Sequence, residues 1–138
     1  MRFAGEYERT LDAKNRIVMP PKLKNCLEDG QFVLCCMPNE NFIRVYKPSD
    51  WDELTDKHLF VDDGVDRTKL QRYVFHNSDN CELDAQNRFA LLPKFIERAE
   101  IEREIVIIGV GKRAEIWSKK NYESDVIGCE AQPIVMPF

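Results

Sequence analysis

Apolar positions in this chain fall in short blocks broken by turn residues, and the spacing inside each block separates strand from helix. Four consecutive β-branched residues, Ile105-Val106-Ile107-Ile108, predict a strand over Glu104 to Val110 that is buried on both faces. Ala114 to Trp117 pairs with it across Gly111-Lys112-Arg113. Earlier, Gln31 to Met37 and Asn41 to Tyr46 make a similar hairpin around Pro38-Asn39-Glu40. Helical spacing is confined to shorter stretches. Pro20 to Leu27 places Leu23 and Leu27 four apart on one face, and Pro93 to Ala99 repeats the pattern. Proline suits a first helical position because its missing N–H would be unpaired there anyway. Ser49 is the expected N-cap of a helix carrying Trp51 and Leu54, with Asp50, Asp52 and Glu53 in its first turn. A linker helix is expected over Arg67 to Tyr73, capped by Asp66, with Leu70, Tyr73 and Val74 inward and Lys69 and Arg72 outward. Ser118 caps a last turn that holds Tyr122.

These blocks are duplicated. Leu11-Asp12-Ala13-Lys14-Asn15-Arg16-Ile17-Val18-Met19-Pro20-Pro21-Lys22 returns as Leu83-Asp84-Ala85-Gln86-Asn87-Arg88-Phe89-Ala90-Leu91-Leu92-Pro93-Lys94, at a spacing of 72 residues. Each copy reads strand, turn, strand and proline-started helix. Asp12 and Asp84 can close the turn by accepting backbone N–H bonds. Asn15 and Asn87 stand where the chain needs a left-handed residue, which asparagine tolerates well. Arg16 and Arg88 then open the next strand. Trp51 and Tyr122 echo each other at a spacing of 71, so one residue has been lost, most simply in the hairpin loop. The fold class is α+β and β-rich. Residues 1–51 form repeat 1, 52–74 an acidic connector and linker helix, 75–122 repeat 2, and 123–138 a tail that does not read as a helix.

A repeat of about 60–70 residues is near the lower limit for a self-sufficient core. Two repeats that share one core, or exchange strands with a partner, are therefore expected. The formal charge of −4 speaks against indiscriminate DNA coating. Its distribution matters more, because screening leaves only charges within about 10 Å effective. Residues 1–24 carry a net +3, whereas residues 49–66 carry seven acids against Lys57, a net −6. The N-terminus turns polar at once and no apolar run approaches the ~20 residues of a membrane span, so a cytoplasmic chain is expected. Cys26, Cys35, Cys36, Cys81 and Cys129 lack metal-site spacing and read as small apolar residues. Cys35 and Cys36 should face opposite sides of a strand, and a redox switch at whichever is exposed stays open. Gly109 and Gly111 are too little for a dinucleotide site. No catalytic triad order, phosphate loop or metal cluster stands out, so neither an enzyme nor a cofactor is expected.

From the residues alone, two uses of the arginines compete. Arg16 and Arg88 can pair with Asp12 and Asp84 as turn-fixing ion pairs, and this simpler use leads. Alternatively, their planar guanidinium groups can donate parallel bonds to guanine.

Gly5-Glu6-Tyr7, the two Asp-x-x-x-Arg motifs, Ile107-Ile108-Gly109-Val110-Gly111 and Glu115-Ile116-Trp117-Ser118-Lys119 together resemble the MraZ family over residues 1–122. That family comprises bacterial transcriptional regulators of the division and cell-wall gene cluster, built from two SpoVT-AbrB-type repeats. The resemblance implies two such repeats, as a double-split or swapped-hairpin-type β-barrel, packed as one pseudo-two-fold unit with short helices. It implies double-stranded DNA as partner, with tandem short promoter repeats read by a ring-like homo-oligomer, repression as the outcome and nucleoid association. It does not imply a membrane or a small-molecule substrate. Arg16 and Arg88 match the family's DNA-binding motif, Lys14 and Lys22 are candidate phosphate contacts, and Asp12, Asn15, Asp84 and Asn87 form the turns. The chain departs from the family at several points. Asn15 and Asn87 replace glycine, Lys24 and Ile96 stand where arginine is usual, Leu92 replaces a proline, and the tail lacks the usual charged helix. The second repeat is thus expected to contact its ligand less strongly. The rival reading is a non-enzymatic oligomeric scaffold that binds a protein partner through the acidic connector.

Overall fold

The first half of the chain runs β1 (Phe3–Thr10), β2 (Arg16–Val18), α1 (Pro21–Lys24), β3 (Gln31–Cys35), β4 (Ile43–Tyr46) and α2 (Pro48–Leu59). After α3 (Thr68–His76) the order repeats as β5 (Ser78–Glu82), β6 (Arg88–Ala90), α4 (Pro93–Arg98), β7 (Glu104–Gly111), β8 (Ala114–Ser118) and α5 (Lys119–Asn121), which continues as a π-helical turn, Tyr122–Ile127. The structure is a computed structural model describing residues 1–128 and 133–138.

The first strand of each half pairs with the hairpin of the other. Strand β1 lies against β7 and β5 against β3, in one antiparallel sheet ordered β1-β7-β8-β4-β3-β5. The halves meet at its centre, where Ile43 faces Ile116 and Val45 faces Ala114. Strands β2 and β6 form a separate two-stranded ribbon. This exchange answers the size problem, since neither half closes a core alone.

Successive side chains of a strand point to opposite faces, and the core divides accordingly. On one face Phe32, Leu34, Ile43, Ile105, Ile107 and Ile116 pack beneath Ile17 and Phe89 of the ribbon. The rings of Phe32 and Phe89 meet edge to face at 5.0 Å. On the other face Val33, Cys35 and Tyr46 pack against Trp51, Leu59 and Val74 from α2 and α3. Val106 and Trp117 pack there against Tyr122. Each half therefore ends on an aromatic pair, Tyr46 with Trp51 and Trp117 with Tyr122. The molecule has three layers: ribbon with short helices, sheet, and the helices after each hairpin.

Two glycines fit β1 to this frame. A Cβ on Gly109 would sit 2.3 to 2.6 Å from backbone atoms of Phe3 and Ala4, so only glycine lets β1 cross β7. Gly5 has φ +95° and is covered by the Tyr7 ring, whose hydroxyl donates to the Ala4 carbonyl at 2.9 Å.

Several local expectations are corrected. The helix after β4 starts on Pro48, and Ser49 does not cap it; its N–H donates to Glu28 Oε1 at 2.8 Å. Proline's preference for the first helical position sets that boundary. Leu70 is 49% exposed rather than inward, while Val74 is buried. Cys35 and Cys36 do face opposite sides, but neither is exposed. Burial pushes their thiols up to about 12 and about 11, away from the reactive thiolate. Val33 and Val106 are equivalent at a spacing of 73 and Tyr46 and Trp117 at 71. One residue was thus gained before β7 and two were lost in the hairpin. Helical winding continues through Ile127, because Val126 packs beside Val106 and Trp117. Cys129 and the adjoining part of the tail lie outside the described residues.

Candidate nucleic-acid interface

The twin turns are built by their aspartates. Asp12 Oδ1 accepts the backbone N–H groups of Lys14 and Arg16 at 2.8 and 2.9 Å, while Oδ2 takes Arg16 Nε at 2.7 Å. Asp84 does the same with Gln86 and Arg88 at 2.9 and 2.8 Å, and with Arg88 Nε at 3.1 Å. Asn15 and Asn87 have φ of 58° and 61°, the left-handed conformation the sequence called for. The turns also cross-brace. Met19 N–H donates to the Asn87 carbonyl at 2.8 Å, and Leu91 N–H to the Asn15 carbonyl at 2.9 Å.

These bonds hold both carboxyl groups ionised. The Arg16 backbone N–H lowers the Asp12 pKa most, with the Arg16 side chain and the Lys14 N–H adding to it. For Asp84 the Arg88 N–H acts first, then the Gln86 N–H and the Arg88 side chain.

The ribbon register then aims the arginines. Arg16 lies opposite Ala90 and Val18 opposite Arg88, with Ile17 and Phe89 between them. Ile17 and Phe89 face the core, so Arg16, Val18, Arg88 and Ala90 share the outer face. The two arginine side chains are 28% and 29% exposed. The ion pairs expected from the residues are present, but each uses the Nε edge. Among the described residues no partner engages Nη1 or Nη2 of Arg16, whereas Arg88 Nη2 donates to Gln86 Oε1 at 3.1 Å. Anchoring and outward donation are therefore compatible in one side chain.

Lys14 and Lys22 are exposed, on the first turn and on α1. Lys94, at the position equivalent to Lys22, bends back to donate to the His76 carbonyl. Sequence reasoning missed Arg9. Its Nε donates to the Val18 carbonyl at 3.1 Å, which places a further guanidinium beside the ribbon. Alternation along β1 puts Arg9 on the side of the core-packed Tyr7, so nothing in the pattern marked it. The cationic strip is bounded on one flank, where Glu97, Glu100 and Glu102 line a groove beside Asn15. The acidic connector lies elsewhere: α2 and α3 pack on the sheet face opposite the ribbon. Among the described residues no three His, Cys, Asp or Glu side chains are placed to hold a metal ion, and no helix is long and apolar enough to cross a membrane.

A duplicated α+β chain whose halves exchange strands and present twin Asp-x-x-x-Arg turns on one ribbon defines a tandem-repeat protein. Comparison with known proteins places it further. The family described as "MraZ protein, putative antitoxin-like" matches residues 2–72 and 74–126, one match per half. A Mycoplasma mobile protein named transcriptional regulator MraZ is 34% identical over 122 residues, 86% of this chain and 81% of that protein. Proteins of the same name from Heliobacterium modesticaldum and Lachnoclostridium phytofermentans are 32% and 30% identical, over 87% and 89% of this chain and 83% and 86% of their own lengths. The chain belongs to the MraZ family of transcriptional regulators.

Proposed function

We propose that this chain is a sequence-specific DNA-binding regulator, a repressor of the division and cell-wall gene cluster, acting in the cytoplasm at the nucleoid. The observation that carries this reading is the pair of guanidinium groups on the outer face of one ribbon, each anchored to its aspartate through Nε, with both Nη groups of Arg16 and Nη1 of Arg88 left to other partners. A two-stranded ribbon fits the major groove, where arginine donates two bonds to guanine O6 and N7. Lys14 and Lys22 supply phosphate contacts, which need charge and reach rather than fixed geometry. The sheet also separates the acidic α2 from the ribbon, which supports the same reading, because the carboxylates of that helix stand away from the duplex.

One chain offers two short readers, so tandem promoter repeats suit a ring-like homo-oligomer in which each added reader acts at high effective concentration. The uncovered sheet edges, β1 and β5, are consistent with neighbouring subunits. The test is binding to a tandem-repeat promoter fragment across a salt series, for wild type and Arg16→Ala. DNA reading predicts steep salt dependence in wild type and weaker binding in the variant. A scaffold that engages a protein through the acidic connector predicts neither.

A further inference from the structure

Two apolar features stand out among the described residues. One is a cleft of about 290 Å³ where α2 and α3 cover the β3–β4 hairpin, walled by Met37, Tyr46, Trp51, Leu54, Leu70 and Val74. The other is the segment Pro133-Ile134-Val135-Met136-Pro137-Phe138, whose large side chains are 73%, 90%, 59% and 98% exposed at Ile134, Val135, Met136 and Phe138. Single exposed apolar residues are ordinary. Six in a row without one polar side chain mark an interaction site.

We propose that Pro133–Phe138 of one copy seats in the α2–α3 cleft of a second copy. Polarity matches the two. Arg44, the guanidinium that lines the cleft, is already neutralised by Glu40, with Nε donating at 2.8 Å and Nη2 at 2.5 Å. Side chains without charge, such as those of Pro133–Phe138, therefore meet no unpaired charge there, with the Phe138 carboxylate left at the rim in water, whereas charged side chains would lose hydration without gaining a partner. Size matches as well. A space just under the ~300 Å³ at which small-ligand pockets begin takes a few side chains, not a folded domain. Pro133 and Pro137 fix φ in the extended range, so the segment loses little freedom on docking. Within one chain these side chains stay in solvent and none of them lines the cleft, as seating in a second copy requires. A segment from one copy in the cleft of the next is a head-to-tail contact, which propagates or closes according to its rotation. Each contact is small and gains force when several act in one assembly. The proposal does not depend on DNA binding.

The test is sedimentation of the full chain over a concentration series without DNA, in wild type and two variants. Ile134→Asp/Phe138→Asp spoils the segment, and Leu70→Glu spoils the cleft. All three changes are at exposed positions, and circular dichroism checks the fold. Leu70→Ser replaces the glutamate variant if its melting temperature falls. Each variant is expected to raise the concentration for half-assembly at least tenfold. Mixed in equal amounts, the two retain one good segment and one good cleft, and form a complex that neither forms alone. Variants that assemble like wild type, a mixture that stays separate, or a wild type that is monomeric throughout would each overturn the proposal.

Discussion

The two Asp-x-x-x-Arg turns have the same backbone and different surfaces. Both aspartates make the same set of bonds, both asparagines share the left-handed conformation, and each turn braces the other's carbonyl. Outward, they diverge. The first copy has Arg9, Lys14 and Arg16, while the equivalent positions of the second are Cys81, Gln86 and Arg88. Duplication has kept what folds the turn and let drift what reaches beyond it. On the proposed reading, the first turn is the stronger cationic reader and the second is chiefly its structural counterpart.

The largest expected effect concerns a difference in the first strands. Strand β1 is eight residues long and crosses Gly109, whereas β5 has five, and Cys36 stands at the position equivalent to Gly109. Gly109→Ala should cost about 2–4 kcal/mol in urea unfolding, because its methyl collides with backbone. Cys36→Ala should cost about 1 kcal/mol, and equal losses would break the comparison. Next come the readers. Arg16→Ala should lose about 1–3 kcal/mol of promoter affinity, and Arg88→Ala less, since Gln86 already holds one of its Nη groups. Gln86→Ala frees that group, and titration should then show the second copy gaining weight. In the turns, Asn15→Ala should lower stability by about 1–2 kcal/mol at a φ of 58°, while Asn15→Gly is tolerated, as thermal melts will record.

The smallest effect is acid sensitivity. Asp12 and Asp84 lie below their ordinary value of 3.8 in the folded chain, first because of the arginine backbone N–H groups. Their contribution is complete above that value and lost as pH falls through the lowered folded pKa. Protection of the Asn15 and Asn87 amides, taken relative to their intrinsic exchange rate, should therefore fall only below about pH 4, in both copies.

Much of this was legible because it is local. The turns, the left-handed asparagines, the two hairpins and the Ser118 cap, whose Oγ accepts the Asn121 N–H at 3.1 Å, all follow from residues a few positions apart. A shared core was expected, but the exchange of β1 and β5 between the halves was not read, since pairings about 50 and 100 residues apart leave no periodic trace. Repetition singled out Arg16 and Arg88, and the choice between anchor and reader was posed too sharply. A guanidinium has an Nε edge and an Nη end, and here the carboxylate uses only the first. Arg9 was missed because its place beside Val18 is created by the ribbon folding back on β1.

The central claim is that the ribbon arginines read sequence, and one measurement tests it most directly. Compare the affinity for a tandem-repeat promoter fragment with that for a scrambled duplex of equal length, in wild type and in Arg16→Ala/Arg88→Ala, at one fixed salt. The account predicts that the double variant loses most of the ratio between the two duplexes while keeping its melting temperature. A double variant that preserves that ratio would contradict it.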